Sequence, residues 1–174
     1  MLIILDRDGV INFDSDNYIK SPEEWIPIPG SLEAIAMLNQ KKHTVVIATN
    51  QSGMGRGYYL RSMLEAIHQK MQQELLKKHG HIDGIYFCPH TPEDHCACRK
   101  PRPGLLLQIK KDYPDLFPQA VLIGDALRDL QAARAAGCKA ILVKTGKGSE
   151  VDLSLVDAEV PVYADLFDYV QQME

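Results

Sequence analysis

Five short apolar runs recur along the chain, and each one is ended by polar or turn-forming residues. They lie at Leu2–Leu5, Val45–Ala48, Ile85–Cys88, Val121–Ile123 and Ala140–Val143. The runs are rich in Val and Ile and do not alternate with polar residues, which is typical of strands that are buried on both faces of a parallel sheet. We therefore predict five parallel strands.

Helical spacing of apolar residues fills the segments between these runs. We predict a first helix capped by Ser31, a long helix ending near Gly80, and further helices at Leu105–Tyr113, Leu130–Ala136 and Leu166–Gln172. The long helix is predicted from apolar residues that lie three or four positions apart: Leu60, Met63, Leu64, Ile67, Met71 and Leu75. Strands that alternate with helices predict a layered α/β fold with right-handed crossovers.

Composition narrows the class of protein. A length of 174 residues predicts a single domain over residues 1–174. The 19 Lys and Arg against 23 Asp and Glu give a net charge of −4, which argues against a nucleic-acid partner. We expect no membrane span and no signal peptide, because the apolar runs are too short and the chain begins without a basic segment. The predictions are therefore a cytoplasmic location, reduced cysteines and a monomer.

Carboxylates follow two of the predicted strands, where ligands bind in parallel α/β sheets. Asp6 and Asp8 come after the first run, and Asp125 comes after the fourth. Three converging carboxylates repel one another unless a cation lies between them, and oxygen ligands favour Mg²⁺. The ion would keep Asp6 ionised as a nucleophile toward phosphorus, while Asp8 transfers a proton. The simpler alternative is that Asp6 to Asp8 form an ordinary polar turn.

Phosphate-binding groups are predicted at two other places. The Thr49 hydroxyl and the backbone N–H groups after it can hold a phosphoryl oxygen. Lys100 can neutralise the negative charges of both the phosphate and the nucleophilic carboxylate. Arg99 can make bidentate hydrogen bonds to a second anionic group of the substrate. The alternatives are a common turn after Thr49 and a solvated basic pair at Arg99 and Lys100.

Sulfur and imidazole ligands crowd into one short segment. Cys88, His90, Cys96 and Cys98 form the Cys₃His set of a closed structural Zn²⁺ site, with His95 as a competitor for His90. The alternative is a group of free thiols beside a surface histidine. Cys138 is predicted to pack as a small apolar residue, and four histidines are predicted to lie on the surface: His43, His68, His79 and His81.

Four short segments hold most of these candidate residues: Leu5–Asn12 (LDRDGVIN), Thr49–Gly53 (TNQSG), Cys98–Pro101 (CRKP) and Gly124–Asp125 (GD). Together they resemble the haloacid dehalogenase (HAD) superfamily, in the branch of D,D-heptose 1,7-bisphosphate and histidinol-phosphate phosphatases. The resemblance implies a Rossmann-like parallel sheet with helices on both faces, a minimal cap and a small zinc-binding loop at about 88–98. It also implies a Mg²⁺ cofactor and an aspartyl-phosphate intermediate.

The resemblance also assigns roles to individual residues. Asp6 is implied as the nucleophile and Asp8 as the general acid/base, while Thr49 and Lys100 stabilise the phosphoryl group. Mg²⁺ is implied at the carboxylates of Asp6 and Asp125 and the backbone carbonyl of Asp8. Asp129 would orient a water or Lys100, and Ala126 stands where many heptose phosphatases have Lys. The implied substrate-binding residues are Asp14, Tyr18, Asn50, Gln51, Ser52 and Arg99.

The implied reaction is hydrolysis of a phosphomonoester of a small sugar. The specific expectation is removal of the 7-phosphate of D-glycero-D-manno-heptose 1,7-bisphosphate, in nucleotide-heptose synthesis for lipopolysaccharide or another glycan. Histidinol phosphate or another small sugar phosphate is the nearest alternative substrate. Three further alternatives remain open: a polynucleotide 3′-phosphatase, a signalling receiver domain that is phosphorylated on Asp, and a zinc-organised binding module without catalysis.

Overall fold

A six-stranded parallel sheet forms the centre of the computed structural model, which describes residues 1–173. The strands are β1 (Leu2–Leu5), β2 (Thr44–Asn50), β3 (Gly84–Cys88), β4 (Val121–Gly124), β5 (Lys139–Val143) and β6 (Val162–Tyr163). Their order across the sheet is β3-β2-β1-β4-β5-β6. The chain therefore runs outward in one direction from β1 to β3 and in the other from β4 to β6. The crevice above β1 and β4 is the switch point where ligands bind in such sheets.

The five predicted strands are confirmed, and the sixth was missed. β6 has only two residues, Val162 and Tyr163, and neither is buried. Such a strand leaves no apolar run in the sequence, because it lies at the edge of the sheet and pairs only with β5.

Helices cover both faces of the sheet. They are α1 (Ser31–Gln40), α2 (Ser52–Gly55), α3 (Arg61–Lys77), α4 (Gly104–Asp112), α5 (Leu127–Ala136) and α6 (Leu166–Gln172). Residues of α1, α3 and α6 share one apolar cluster with one face of the sheet, and α4 and α5 share a second cluster with the other face. The fold is therefore the predicted three-layered α/β arrangement.

Two expectations about the helices were wrong. Ser31 does not cap α1: it is the first helical residue, and its hydroxyl donates to the carbonyl of Ile11 at 2.6 Å, while Gly30 occupies the cap position. The predicted apolar face of α3 is also shifted, because Leu60 precedes the helix and is 77% exposed. The stripe that the helix buries is Leu64, Ile67, His68, Met71 and Leu75.

The segment between β1 and α1 is irregular but anchored. Trp25 is fully buried in it, and the amine of Lys70 on α3 donates to the carbonyls of Pro22 and Trp25 at 2.6 and 3.0 Å. The segment therefore forms a fixed wall beside the switch point and not a large cap. Within the described chain, no helix combines the length and the apolar character that crossing a bilayer requires.

Candidate active site and metal-binding loop

The predicted carboxylates meet at the switch point. β1 and β4 are neighbours, with Leu5 opposite Ile123, so Asp6 and Asp125 leave the sheet side by side. One carboxylate oxygen from each of Asp6, Asp125 and Asp129 lies within 4.8 Å of the other two, and all three residues are buried. The geometric premise of the predicted magnesium site is therefore met, with Asp129 as an additional acid of the cluster.

The backbone closes tightly around Asp125. Gly9 and Gly146 have φ angles of +84° and +58°, and a Cβ atom on either glycine would overlap the Asp125 carboxylate. The backbone N–H of Lys147 donates to Asp125 Oδ2 at 2.8 Å. Asp125 Oδ1 is buried and has no hydrogen-bond partner in residues 1–173. A buried carboxylate oxygen that accepts no hydrogen bond is free to bind a cation. The residues present therefore fit the implied Mg²⁺.

Burial makes ionisation of this cluster unfavourable when no metal is bound. Burial, with added repulsion from the neighbouring carboxylates, raises the pKa of Asp6 to about 7, although Lys100 opposes this shift. Burial and the charge of Asp129 raise the pKa of Asp125 to about 6. A divalent cation would remove this repulsion and hold both groups ionised, which a nucleophilic carboxylate requires.

Lys100 supplies one fixed positive charge. Its amine lies 3.1 Å from Asp6 Oδ1 and 2.7 Å from Asp129 Oδ1, and it donates to the carbonyl of Ala48 at 2.7 Å. Burial opposes the charge, but Asp129 and Asp6 outweigh it and raise the pKa of Lys100. The second oxygen of Asp129 accepts the backbone N–H of Ala126 at 3.1 Å. Asp129 therefore orients Lys100, which is one of the two roles that the resemblance implied.

The polar side chains at the end of β2 make hydrogen bonds to other groups of the protein. The side chain of Asn50 makes two 3.0 Å hydrogen bonds with the backbone N–H and carbonyl of Lys100. Gln51 donates to the buried Thr49 Oγ1 and to Asp8 Oδ2, both at 3.0 Å. The side chains of Asn50 and Gln51 thus position catalytic candidates, and a role as direct substrate ligands stays a prediction.

Asp8 faces the cavity with its carboxylate held by several donors. Arg7 Nη2 and Asn12 Nδ2 each donate to Oδ1 at 2.9 Å. Burial opposes ionisation of Asp8, but the Arg7 charge and the hydrogen bonds from Asn12, Arg7 and Gln51 outweigh it and lower the pKa of Asp8. Sequence reasoning gave no role to Arg7, although its place between the two acids was a signal.

A cavity of about 190 Å³ opens directly above these groups. Its lining contains all six predicted substrate-binding residues together with Asp6 and Asp8, whereas Thr49, Lys100 and Asp125 are buried and do not line it. Its further lining residues were not predicted: Ser15, Asp16, Ile19, Arg128 and Lys147. Arg128 and Lys147 each follow the carboxyl end of a strand, β4 and β5. A search of the strand ends for cationic residues as well as carboxylates would therefore have found them.

A larger depression of about 1110 Å³ lies elsewhere, between α5, β5 and the loop before β6. Its lining includes none of the acidic cluster, and its Arg134 is paired with Asp157 at 3.3 Å. The smaller cavity is therefore the candidate active site, because its lining, unlike that of the larger depression, includes the candidate catalytic residues.

The four predicted zinc ligands also come together. The Cys88 sulfur lies 3.4 Å from His90 Nδ1, 3.5 Å from the Cys96 sulfur and 3.0 Å from the Cys98 sulfur. A tetrahedral Zn²⁺ with thiolate bonds of about 2.3 Å separates its sulfurs by about 3.8 Å, so the cluster is only slightly tighter than a loaded site. His95 is exposed and lies outside the cluster. The residues present therefore fit a closed structural zinc site.

The cysteine and histidine cluster places Arg99. The backbone N–H of Arg99 donates to the Cys96 sulfur at 3.3 Å, and its guanidinium lies 3.5 Å from the carbonyl of His90. Arg99 lines the active-site cavity, and Lys100 follows it directly. The loop thus connects the cysteine and histidine cluster to both predicted phosphate ligands. Cys138 packs against the second apolar cluster, as predicted.

His68 is the one histidine whose predicted surface position was wrong. It is only 9% exposed, and its Nε2 lies 3.2 Å from Arg7 Nη1. The signal was available, because His68 lies four positions after Leu64 and three before Met71 on the buried stripe of α3.

Comparisons with known proteins agree with this geometry. Residues 97–169 match the HAD-hydrolase-like family. The chain is 54% identical over 147 residues to a D-glycero-β-D-manno-heptose-1,7-bisphosphate 7-phosphatase from Pseudomonas aeruginosa, covering 84% of this chain and 83% of that protein. A crystal structure of D,D-heptose 1,7-bisphosphate phosphatase from B. bronchiseptica, complexed with magnesium and phosphate, is 50% identical with a TM-score of 0.94, covering 98% of this chain and 96% of the other. The corresponding enzyme structure from Burkholderia thailandensis is 38% identical with a TM-score of 0.76, over 98% and 96% of the two chains.

Proposed function

Because this chain belongs to the D-glycero-β-D-manno-heptose-1,7-bisphosphate 7-phosphatases, a family of HAD-like phosphoric monoester hydrolases, we propose that it removes the 7-phosphate of that sugar. The observation that carries the proposal is the position of Asp6 at the cavity, with a carboxylate oxygen of Asp125 and the amine of Lys100 close to its own carboxylate. One nucleophilic carboxylate, one orphaned carboxylate oxygen and one fixed cation are the groups that phosphoryl transfer needs.

The first step forms a bond between Asp6 and phosphorus. The bond from phosphorus to the sugar oxygen breaks, and Asp8 passes to that oxygen the proton that it accepted from water in the preceding turnover, so that the oxygen leaves as an alcohol. Lys100 and the backbone N–H groups after Thr49 offset the charge of the transferring group. When bound by Asp6, Asp125 and the backbone carbonyl of Asp8, Mg²⁺ would supply further positive charge to the phosphoryl oxygens.

The second step releases phosphate from Asp6. Asp8, now ionised, accepts a proton from water as the water attacks the phosphorus of the aspartyl-phosphate. The bond between phosphorus and the Asp6 oxygen breaks, which restores the free carboxylate. The carboxylate of Asp8 is suited to this second role, because its surroundings stabilise the ionised form.

Cationic side chains at the cavity wall support a doubly phosphorylated substrate. Arg99, Arg128 and Lys147 all line the cavity in addition to the buried Lys100. Arg128 lies two positions after Ala126, so its guanidinium provides a positive charge near the place where many heptose phosphatases have Lys. We assign the phosphate that is not hydrolysed to these three side chains.

The zinc-binding loop has a positioning role in this proposal. A short loop with little apolar content cannot order itself by burial, and Zn²⁺ bound by the three thiolates and His90 would supply the ordering energy. Reduced thiols are typical of the cytoplasm, where we place the enzyme. We propose that it works there as a monomer, which light scattering on the zinc-loaded protein will test.

A phosphate-release panel tests the substrate. With Mg²⁺ present, we expect the largest kcat/KM for the β-anomer of D-glycero-D-manno-heptose 1,7-bisphosphate, and ³¹P NMR should show that the 1-phosphate stays on the product. The α-anomer, histidinol phosphate and fructose 1,6-bisphosphate are the comparison substrates. A larger kcat/KM for histidinol phosphate would make that compound the substrate instead. Equal slow turnover of all four compounds would show that the heptose bisphosphate is not a specific substrate.

Arg99→Met sharpens the same experiment. We expect it to lower kcat/KM for the heptose bisphosphate about 10-fold while leaving an aryl monophosphate nearly unchanged, because only the bisphosphate carries a second anionic group. An equal loss on both substrates would assign Arg99 to the phosphate that is hydrolysed.

A further inference from the structure

His68 contacts the catalytic machinery only through Arg7. The side chain of Arg7 is fully buried, and its Nη1 lies 3.2 Å from His68 Nε2. A guanidinium is always charged at neutral pH and can only donate hydrogen bonds. His68 Nε2 must therefore be the acceptor, which places the proton of the neutral ring on Nδ1.

The guanidinium of Arg7 is held from both sides. On one side His68 accepts from Nη1, and on the other Gln51 Oε1 accepts from Nη2 at 3.3 Å. Gln51 is itself fixed by the hydroxyl of Tyr59, which donates to the same oxygen at 2.6 Å. Arg7 also donates to Asp8 Oδ1, from Nε at 3.0 Å and from Nη2 at 2.9 Å.

We propose that His68 is a positioning residue for the general acid/base, because it fixes the Arg7 guanidinium that holds the Asp8 carboxylate at the cavity. The inference rests on the proposed role of Asp8. The chain of contacts runs from the buried stripe of α3 through Arg7 to the loop after β1, so the core of the protein sets the orientation of a catalytic side chain.

The charge state of His68 agrees with this role. Burial, with added repulsion from the Arg7 charge, lowers the pKa of His68 to about 3. The ring is therefore neutral at working pH and remains an acceptor for Arg7. An apolar side chain of similar bulk would fill the same space but leave one buried donor of Arg7 unpaired.

Leaving-group dependence separates positioning from simple packing. An alkyl phosphate needs a proton from Asp8 because an alkoxide leaves poorly, whereas p-nitrophenolate leaves without one. Displacement of Asp8 should therefore slow transfer from an alkyl phosphate far more than transfer from p-nitrophenyl phosphate. The ratio of kcat/KM for the two substrates isolates the step that forms the aspartyl-phosphate, since hydrolysis of this intermediate is common to both.

The experiment compares His68→Leu, which removes the acceptor, with His68→Gln, whose amide oxygen can accept from Arg7. The substrates are 2-glycerol phosphate and p-nitrophenyl phosphate, with Mg²⁺ saturating. We expect His68→Leu to lower kcat/KM for the alkyl phosphate 10-fold or more, and for the aryl phosphate less than about 3-fold. His68→Gln should recover most of the loss. Ile67→Ala is the control for destabilisation of α3, and it should lower Tm without changing the ratio between substrates.

Equal losses on both substrates, or a Gln variant no better than the Leu variant, would overturn the proposal and leave His68 as a packing residue. If His68→Leu does not fold, His68→Met carries the same comparison, because its flexible apolar side chain also lacks a strong acceptor. A wild-type enzyme that hydrolyses both substrates but shows no preference for heptose bisphosphate would remove the substrate proposal and leave this inference standing. A wild type that hydrolyses neither would overturn both.

Discussion

The two clusters that fit a metal ion both adjoin the active-site cavity, one through Arg99 and the other through Asp6, but they are built in opposite ways. The sulfur cluster takes Cys88 from the buried end of β3 and His90, Cys96 and Cys98 from the partly exposed loop that follows it. The acidic cluster takes Asp6 and Asp125 from strands that lie far apart in sequence and are joined only by the sheet. We therefore propose that the first cluster needs Zn²⁺ for order, whereas the second is already ordered by the strands and needs a cation for charge balance.

Lys100 connects the two regions. It follows the sulfur cluster in sequence, and its amine is buried between Asp6 and Asp129 in the acidic cluster. Its backbone is clamped by Asn50 at the end of β2. The comparison therefore predicts that changes in the acidic cluster alter chemistry, that changes in the loop alter position, and that Lys100 is sensitive to both.

The largest expected effect is on the chemical step itself. Asp6→Asn removes the nucleophile and should lower kcat by at least about 10⁴-fold, because no other carboxylate in the cluster has the same approach to the cavity. Zinc content, measured by elemental analysis, should stay unchanged, since Asp6 lies outside the sulfur cluster. The exposed Asp115→Asn is the matched control and should retain full activity. Activity above about one per cent in the Asp6 variant would assign the nucleophile elsewhere.

The next largest effect concerns stability at the junction. Lys100→Met leaves Asp6 and Asp129 without their buried cation and should lower the free energy of unfolding by about 3–5 kcal/mol, as measured by urea titration of the Mg²⁺-free protein. Adding Asp129→Asn should restore part of the loss, because it removes one of the two unpaired charges. Equal stability of the single and double variants would contradict this electrostatic explanation.

Loss of zinc should have an intermediate effect. Cys98→Ser removes one thiolate ligand, and we expect it to release the metal and to lower kcat/KM by about 10- to 100-fold through displacement of Arg99 and Lys100. Cys138→Ser changes a thiol outside the cluster and serves as the control. Hydrogen exchange should rise in the loop between β3 and α4 and not in β1 or β4. Full activity without bound zinc would contradict the proposal that the zinc-loaded loop positions Arg99 and Lys100.

The smallest expected effect is a pH dependence confined to the acidic cluster. The pKa values of Asp6 and Asp125 are raised to about 7 and 6, so their protonated forms favour the folded state without metal. The stability that they contribute is complete below their ordinary pKa of about 4 and is lost as the pH rises through 6 to 7. Mg²⁺ binds the ionised carboxylates, so its stabilising effect should grow over the same range.

Thermal unfolding with and without Mg²⁺ measures this difference. At 100 times its Kd the ion contributes about 2.7 kcal/mol, which for a chain of this size corresponds to a Tm shift of about 5–10 °C. We expect a shift of this size at pH 8 and little shift at pH 5. Asp125→Asn should reduce the shift strongly at pH 8, while Asp115→Asn should not. A shift that is constant from pH 5 to pH 8 would contradict the raised pKa values.

The sequence by itself determined the features that depend on short-range pattern. The apolar runs predicted five strands, because a strand buried on both faces must be apolar along its length. The spacing of Cys88 to Cys98 predicted the sulfur cluster, because its four ligands lie in one short segment and need no distant partner. The positions of Asp6, Thr49 and Asp125 at strand ends predicted one shared site.

Only the tertiary structure decided which side chains face one another. The pairing of β1 with β4 brings Asp125 to Asp6, and the clamp between Asn50 and Lys100 joins segments that have no shared pattern in sequence. The spacing of His68 on the apolar stripe of α3 could have predicted its burial, but only the tertiary structure shows that its partner is Arg7. The physical reason is that strand order and side-chain partners arise from long-range packing, whereas periodicity and ligand spacing are local properties of the chain.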